Sequence, residues 1–327
     1  TMHNVENMLF RYITISDKMI HDMVEPTHFT DDNLGLMLDY FKNHILPDQI
    51  HKLSVSFFVP ELKRNFGGTA GNIAYNLSLL NSNSILMATV GEDFSSYEKR
   101  LSRLDIVQDY VKEVKDSLTA QAYITTDLDD NQITAFHPGA MMESHQNSIS
   151  SVTEKVDLAI IAPAGKEGMI KHAHECSEKN IPFIFDPGQG LPMFDKNELN
   201  TFIDQATFIA VNDYEAELLM KVSELSVSKI QSKVEALIIT KGAQGSEIYC
   251  DKKITIPSIK ADSPVDPTGC GDAYRAGLLY GIANELSWED TGNLASVMGS
   301  IKIRTQGGQN HAPSLSEIEG LFGKKLI

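Results

Sequence analysis

Cysteine is scarce in this chain, with three among 327 residues, at Cys176, Cys250 and Cys270. An odd number at wide spacing builds neither a disulfide framework nor a metal knuckle, and it fits a reducing compartment, the cytoplasm. His, Cys and carboxylate spacings nowhere match a zinc site. Long apolar runs are missing, which excludes a membrane-spanning segment as the expectation. Residues 1–6 are polar and acidic, without the basic-then-apolar pattern of a secretory leader. Basic residues are few: 28 Lys and Arg stand against 44 Asp and Glu, a formal net charge of −16. So acidic a chain does not attract nucleic acid or an anionic membrane by bulk charge. A nucleotide on it must be held by local N–H groups, a few cations and a metal. Repeats and low-complexity linkers are absent. No Gly-x-Gly-x-x-Gly follows the first strand, which disfavours a dinucleotide-binding dehydrogenase.

What is present is the patterning of a globular α/β protein, with 42% hydrophobic and 22% charged residues. Short apolar or β-branched runs predict strands over 10–15, 53–59, 85–90, 158–162, 182–185, 208–211 and 236–240. Amphipathic stretches predict helices over 70–80, 97–104, 165–177, 214–221, 227–234, 273–283, 290–303 and 314–321. From about residue 155 strands and helices alternate, the order of a parallel sheet with helices on both faces. Ligands gather at the carboxyl ends of such strands. Residues 53–59 and 120–135 break the rhythm, with Asp129-Asp130-Asn131 as a turn between two strands. These predict a small separate sheet, either a lid that excludes water from a phosphate site or a dimerisation surface.

The most informative stretch is Asp266-Pro267-Thr268-Gly269-Cys270-Gly271-Asp272, just ahead of the apolar helical run 273–282. Glycines there let the backbone turn tightly and bare its N–H groups, and the first N–H groups of a helix have no intrahelical partner. Asp272 falls where a bound anion would sit. A carboxylate repels phosphate, so its use there is as a general base on a hydroxyl about to attack phosphorus. The plainer reading is a Gly-rich turn with a capping Asp. Other loops follow strands in the same way. Gly67-Gly68 leads to Asn72, whose amide offers a donor and an acceptor suited to sugar hydroxyls. Thr240-Lys241-Gly242-Ala243-Gln244-Gly245 ends a strand where a nucleotide would lie, or is simply a hairpin loop. Asn212 and Glu215 stand three apart, the spacing of a capping box, and equally suit a water-coordinated Mg²⁺. Asp186-Pro187-Gly188-Gln189-Gly190 also follows a strand. His137 reads as a loop residue or a substrate contact. Cys270 reads as a small filler of a tight loop or as an activated thiol.

Taken together, these motifs resemble the ribokinase/PfkB family of carbohydrate and nucleoside kinases, over residues 41–311 or so. Asp266 to Asp272 is similar to the family's C-terminal signature, Gly67-Gly68 with Asn72 to its N-terminal one, and Asn212-x-x-Glu215 to its Mg²⁺- and phosphate-linked motif. Runs 41–46, 72–80 and 186–191 look most like the bacterial adenosine-kinase-like branch. The resemblance implies one three-layer α/β/α domain over 1–327, with a discontinuous β lid at about 23–60 and 118–137. It implies Asp272 as base, with Gly269, Cys270 and Gly271 as the anion hole. Gly67, Gly68, Asn72 and Asp22 would meet the acceptor, with Asp32 as a rival to Asp22. Asn212, Thr240, Lys241, Gly242 and Gly245 would hold ATP, and Glu215 the Mg²⁺. A monovalent cation is a further candidate. The acceptor would be a nucleoside, adenosine first, or a free sugar, handled by a cytoplasmic monomer or homodimer. A weak nucleoside-binding protein is the non-catalytic alternative, because Asp17 and Lys18 stand where the family carries glycine and a small polar residue.

Overall fold

A computed structural model describes residues 3–6, 10–15, 62–126 and 132–326. In chain order the strands are β1 His3–Glu6, β2 Phe10–Ile15, β3 Leu62–Gly67, β4 Ser84–Val90, β5 Val107–Glu113, β6 Gln121–Thr126, β7 Gln132–His137, β8 Leu158–Ile161, β9 Phe183–Phe185, β10 Phe208–Asn212, β11 Ala236–Thr240, β12 Ser246–Tyr249 and β13 Lys253–Ile256. The α-helices are α1 Thr69–Leu79, α2 Ser95–Arg103, α3 Lys166–Glu178, α4 Lys196–Gln205, α5 Asp213–Ser223, α6 Val227–Gln231, α7 Cys270–Ala283, α8 Trp288–Lys302 and α9 Leu315–Phe322. The chain forms two compact units. One takes Thr1–Arg11, Phe66–Ala120 and Pro138–Ile327, and the other Tyr12–Asn65 and Gln121–His137.

The larger unit is built on a nine-stranded sheet in the order β13-β12-β11-β10-β9-β8-β1-β4-β5. From β11 to β5 every pairing is parallel, and β12 and β13 add an antiparallel edge. The central strands are buried on both faces, which is why they read as unbroken apolar runs. Their side chains alternate between two cores. Leu158, Ile160, Ala210 and Ile238 join one core with α1, α7 and α8. Ala159, Ile161, Val211 and Leu237 join the other with α3, α4 and α5. In that second core Phe185 stacks on Phe202 at 4.3 Å and 9°. Truncating either ring to alanine costs about 3–5 kcal/mol by loss of burial and the cavity left behind. Helix starts follow local chemistry. Asp195 and Glu198 form a reciprocal capping box on α4, and Ser287 caps α8. Helix α7 differs: Gly269 caps it in the left-handed region, with no side-chain bond.

Several predicted boundaries move. The strand over 10–15 lies in the small sheet, ordered β3-β2-β6-β7, and β1 is the first strand of the parallel sheet. The run 10–15 carries Arg11 and Thr14, so its sequence is not the unbroken apolar run typical of a central parallel strand. The helix predicted over 227–234 stops at Gln231, and the one over 97–104 begins at Ser95. The two strands expected within 120–135 form, as the antiparallel pair β6 and β7. Residues 53–59 lie outside the described residues. None of the described helices is long and apolar enough to cross a membrane.

Candidate active site

The carboxyl ends of β9, β10 and β11 open onto loops, and α7 starts beside them. At its N-terminus Gly269 has φ 79°, a conformation that favours glycine. A Cβ there would also lie 3.1 Å from the Gly308 Cα. Asp266 shapes the loop from within: its carboxylate accepts the Thr268 N–H at 2.8 Å and the Gly307 N–H at 2.7 Å. The Cys270 N–H turns back to the Pro267 carbonyl at 3.1 Å, so this member of the expected anion hole is already engaged. Among the described residues the N–H groups of Gly269, Gly271 and Asp272 have no acceptor, which leaves an anion site at the helix end. The Cys270 thiol is no nucleophile: burial pushes it up to about 11.

Asp272 sits in the first turn of α7 and is partly buried. Burial pushes its carboxyl up to about 6, the Asp186 carboxylate adds to the rise, and the Asn72 hydrogen bond, Arg275 and Lys302 oppose it. A carboxylate with that value is ionised at neutral pH and still basic enough to take a proton. Asn72, fully buried on α1, donates from Nδ2 to Asp272 Oδ2 at 2.7 Å. Its Oδ1 accepts from Gln309 Nε2 at 3.1 Å. Each end of the amide thus has one partner within the protein, and each keeps one further hydrogen-bonding position, the kind of contact the sequence suggested for sugar hydroxyls. Gln309 is held in turn by the Tyr97 hydroxyl and by Arg100. Gly308 packs against Asn72, and a Cβ there would come within 2.5 Å of Asn72 Oδ1. Gly67 accepts the Tyr97 hydroxyl at 2.8 Å, and the Gly68 carbonyl accepts the Asn72 N–H at 2.8 Å. The same strand-to-helix passage thus serves Asn72.

One turn beyond Asp272, Arg275 is buried and forms two bonds to Asp186 at the end of β9, at 3.2 and 3.1 Å, and one to the Ala210 carbonyl at 3.3 Å. Glu215 lies within reach of these charges. Its carboxyl is raised, first by burial and then by Asp186. Asn212 and Glu215 form the capping box of α5, with bonds of 2.7 and 2.8 Å. After β11, Gly242 opens a short 3₁₀ turn that Gly245 closes, and β12 returns antiparallel. Lys241 pairs with Glu247 at 2.8 Å, as does Lys253. Burial of Glu247 opposes ionisation, but hydrogen bonds from Lys241, Lys253 and Tyr249 bring its carboxyl down to about 2. Lys241 is therefore neutralised in place, and the Thr240 hydroxyl points to the Val211 carbonyl at 3.4 Å. His137 ends β7 in the smaller unit and is exposed. Asp22 and Asp32 lie outside the described residues. Sequence reasoning missed Arg275, Gln309 and Lys302. A lone Arg inside the apolar run 273–282 was the available signal, since a buried cation demands a partner.

A parallel sheet between two helical layers, with a carboxylate at a helix N-terminus that lacks a side-chain cap, beside the strand ends, is the design of a ribokinase-like phosphotransferase with a hydroxyl acceptor. The sequence pattern of the pfkB family carbohydrate kinase matches residues 41–315, and the chain belongs to that family. It is 34% identical over 293 residues to the nucleoside kinase of Methanocaldococcus jannaschii, covering 89% of this chain and 95% of that one. The structure of the Burkholderia thailandensis nucleoside kinase in complex with inosine superposes with a TM-score of 0.83 at 42% identity, covering 98% and 96% of the two chains. The ribokinase of Thermotoga maritima, 19% identical, shares the fold with a TM-score of 0.77 over 99% of each chain.

Proposed function

We propose that this protein transfers the γ-phosphoryl group of ATP to the primary hydroxyl of a nucleoside, with Asp272 as general base. The observation that carries the reading is Asp272 itself, a carboxyl raised to about 6 at the open end of α7. The nucleoside acceptor is supported by the likeness to the inosine-bound Burkholderia enzyme, and adenosine is the first acceptor to try. A sugar kinase is the second reading, favoured by 28% identity over 264 residues to the Bacillus subtilis ribokinase.

Asp272 accepts the hydroxyl proton as the oxygen bonds to the γ-phosphorus and the bridging bond to ADP breaks. Charge on the moving phosphoryl oxygens is met by the N–H groups of Gly269, Gly271 and Asp272 and by the positive end of α7. Asn72 fixes the orientation of the base. The loop 240–245 takes the nucleotide, with Gly242 and Gly245 shaping the backbone and Lys241 held back by Glu247. Glu215 would hold Mg²⁺ as a lone carboxylate, largely through water: its carboxyl is raised, first by burial and then by Asp186 with Arg275 opposing, so a cation beside it would favour its ionised form, and Mg²⁺ keeps most of its waters. When bound with the nucleotide, the ion neutralises phosphate charge. We assign the lid to the smaller unit, because its segments, Tyr12–Asn65 and Gln121–His137, overlap the two predicted stretches. The test is an acceptor panel of adenosine, inosine, other nucleosides, ribose and fructose, each with ATP and Mg²⁺, reading ADP and the phosphorylated product. A nucleoside 5′-monophosphate is expected. Sugar phosphates without any nucleotide product overturn the reading.

A further inference from the structure

Lys302 ends α8 with no exposed surface at all. Its ammonium donates to two main-chain carbonyls, Asp266 at 2.8 Å and Thr305 at 3.0 Å. No described carboxylate comes within ion-pair distance of it. A lysine taken wholly out of water is expensive, and one solvated by carbonyls in place of a carboxylate is unusual. Carbonyl oxygens in convergence are the ligands of a potassium ion, which is close in size to an ammonium group. These two carbonyls belong to the loops that set the start of α7. Asp266 also ties Thr268 to Gly307, and the Lys302 stem passes the Gly269 backbone, with Cε 3.6 Å from where a Cβ would stand. The charge is felt at Asp272, at Cys270 and at His311. The groups facing it are thus Asp266, Cys270 and Asp272 on the acid side and the imidazole of His311.

The monovalent cation expected from the sequence does not fit this arrangement, because the carbonyls that would receive it already hold an ammonium. We propose that Lys302 is a built-in monovalent cation: it joins the 266–269 and 305–307 loops behind the base, and the protein neither binds potassium there nor needs it. Lys302 is on this view a positioning residue that sets the N–H groups of α7. The inference rests on the kinase reading only where turnover is measured.

The experiment compares wild type, Lys302→Ala and Lys302→Met in chloride salts of K⁺, NH₄⁺ and tetramethylammonium at equal ionic strength. Thermal melting is read without substrate, and phosphorylation of the best acceptor is read beside it. Wild type should melt and turn over alike in all three salts. Lys302→Ala leaves both a hole and bare carbonyls, so K⁺ and NH₄⁺ should raise its melting temperature and restore turnover by about tenfold or more over tetramethylammonium, in a concentration-dependent way. Lys302→Met fills the hole without charge and should stay impaired in every salt. A wild type whose melting rises selectively with K⁺ overturns the proposal, and so does an alanine variant that responds to salts as the methionine variant does. If the alanine variant does not fold, the wild-type melting still decides. Melting needs no acceptor, so this arm stands apart from any failure of the nucleoside assignment.

Discussion

Asn72→Ala should move the pH profile of the reaction upward. The Asn72 amide donates to the ionised form of Asp272 at 2.7 Å, and such a bond lowers the pKa of the carboxylate that receives it. A hydrogen bond to a charged group contributes about 1.5–3 kcal/mol, which corresponds to about one to two pH units. Without it the carboxyl, at about 6 in the intact protein, should titrate at about 7–8. At pH 7 the ionised fraction then falls from about nine-tenths to between about a half and a tenth. The assay is kcat/KM for the best acceptor from pH 5 to pH 9.5, in buffers of constant ionic strength. We expect a displaced acid limb, a loss of about two- to tenfold at pH 7, and recovery to near the wild-type value by about pH 9. His311 does not confuse the result, because burial holds its imidazole down at about 4. An unmoved acid limb with a uniform loss at every pH refutes the reasoning and assigns Asn72 to the acceptor instead.

Other consequences follow from the same geometry. Gly308→Ala drives a Cβ to within 2.5 Å of Asn72 Oδ1 and should displace the acid limb in the same direction, at a stability cost of about 1–3 kcal/mol by denaturant melting. Asp272→Asn should abolish turnover while nucleoside binding by calorimetry persists. Near-normal activity in that variant eliminates Asp272 as the base. Asp272→Asn should also stabilise the fold at alkaline pH. The folded-state pKa of Asp272 is raised from 3.8 to about 6, so its ionisation costs nothing below about pH 4 and its full penalty, at most about 3 kcal/mol, above about pH 6. The gap in unfolding free energy between variant and wild type should open between those values, and a gap independent of pH contradicts the account. Arg275→Met strands Asp186 in the interior and should cost about 3–5 kcal/mol, part of which Asp186→Asn restores in the double variant.

Much of the scaffold was legible because it is periodic. The runs at 158–162, 208–211 and 236–240 announced strands buried on two faces, and their carboxyl ends pointed to the loops that matter. The hairpin β12–β13 was not legible. Four residues of Ser-Glu-Ile-Tyr and four of Lys-Ile-Thr-Ile carry too little apolar pattern to stand out from a loop. Asp272 stood out through its glycines, and Asn212 and Glu215 through their capping spacing. The partners of Asp272 were hidden for another reason. Gln309 and Lys302 lie far along the chain from the residues they support, and nothing local in Ile301-Lys302-Ile303 says that the lysine is inside. Asn72 was found without its protein partners. Its donor and acceptor suit a sugar as well as they suit a carboxylate and an amide, and the protein partners come only from the close approach of α1, α7 and the 305–311 segment.

That approach sets a timetable for the birth of the enzyme. Of the three, Asn72 leaves the ribosome first, Asp272 comes 200 residues later, and Gln309 arrives 237 residues after Asn72. At ordinary rates of synthesis the interval is roughly 10–50 s. Throughout it the sheet can grow strand by strand while Asp272 is missing or without its full set of partners. A nascent chain that already carries the loop 240–245 therefore still lacks the bonds that hold Asp272, and under the proposed mechanism turnover waits until Gln309 has emerged and docked.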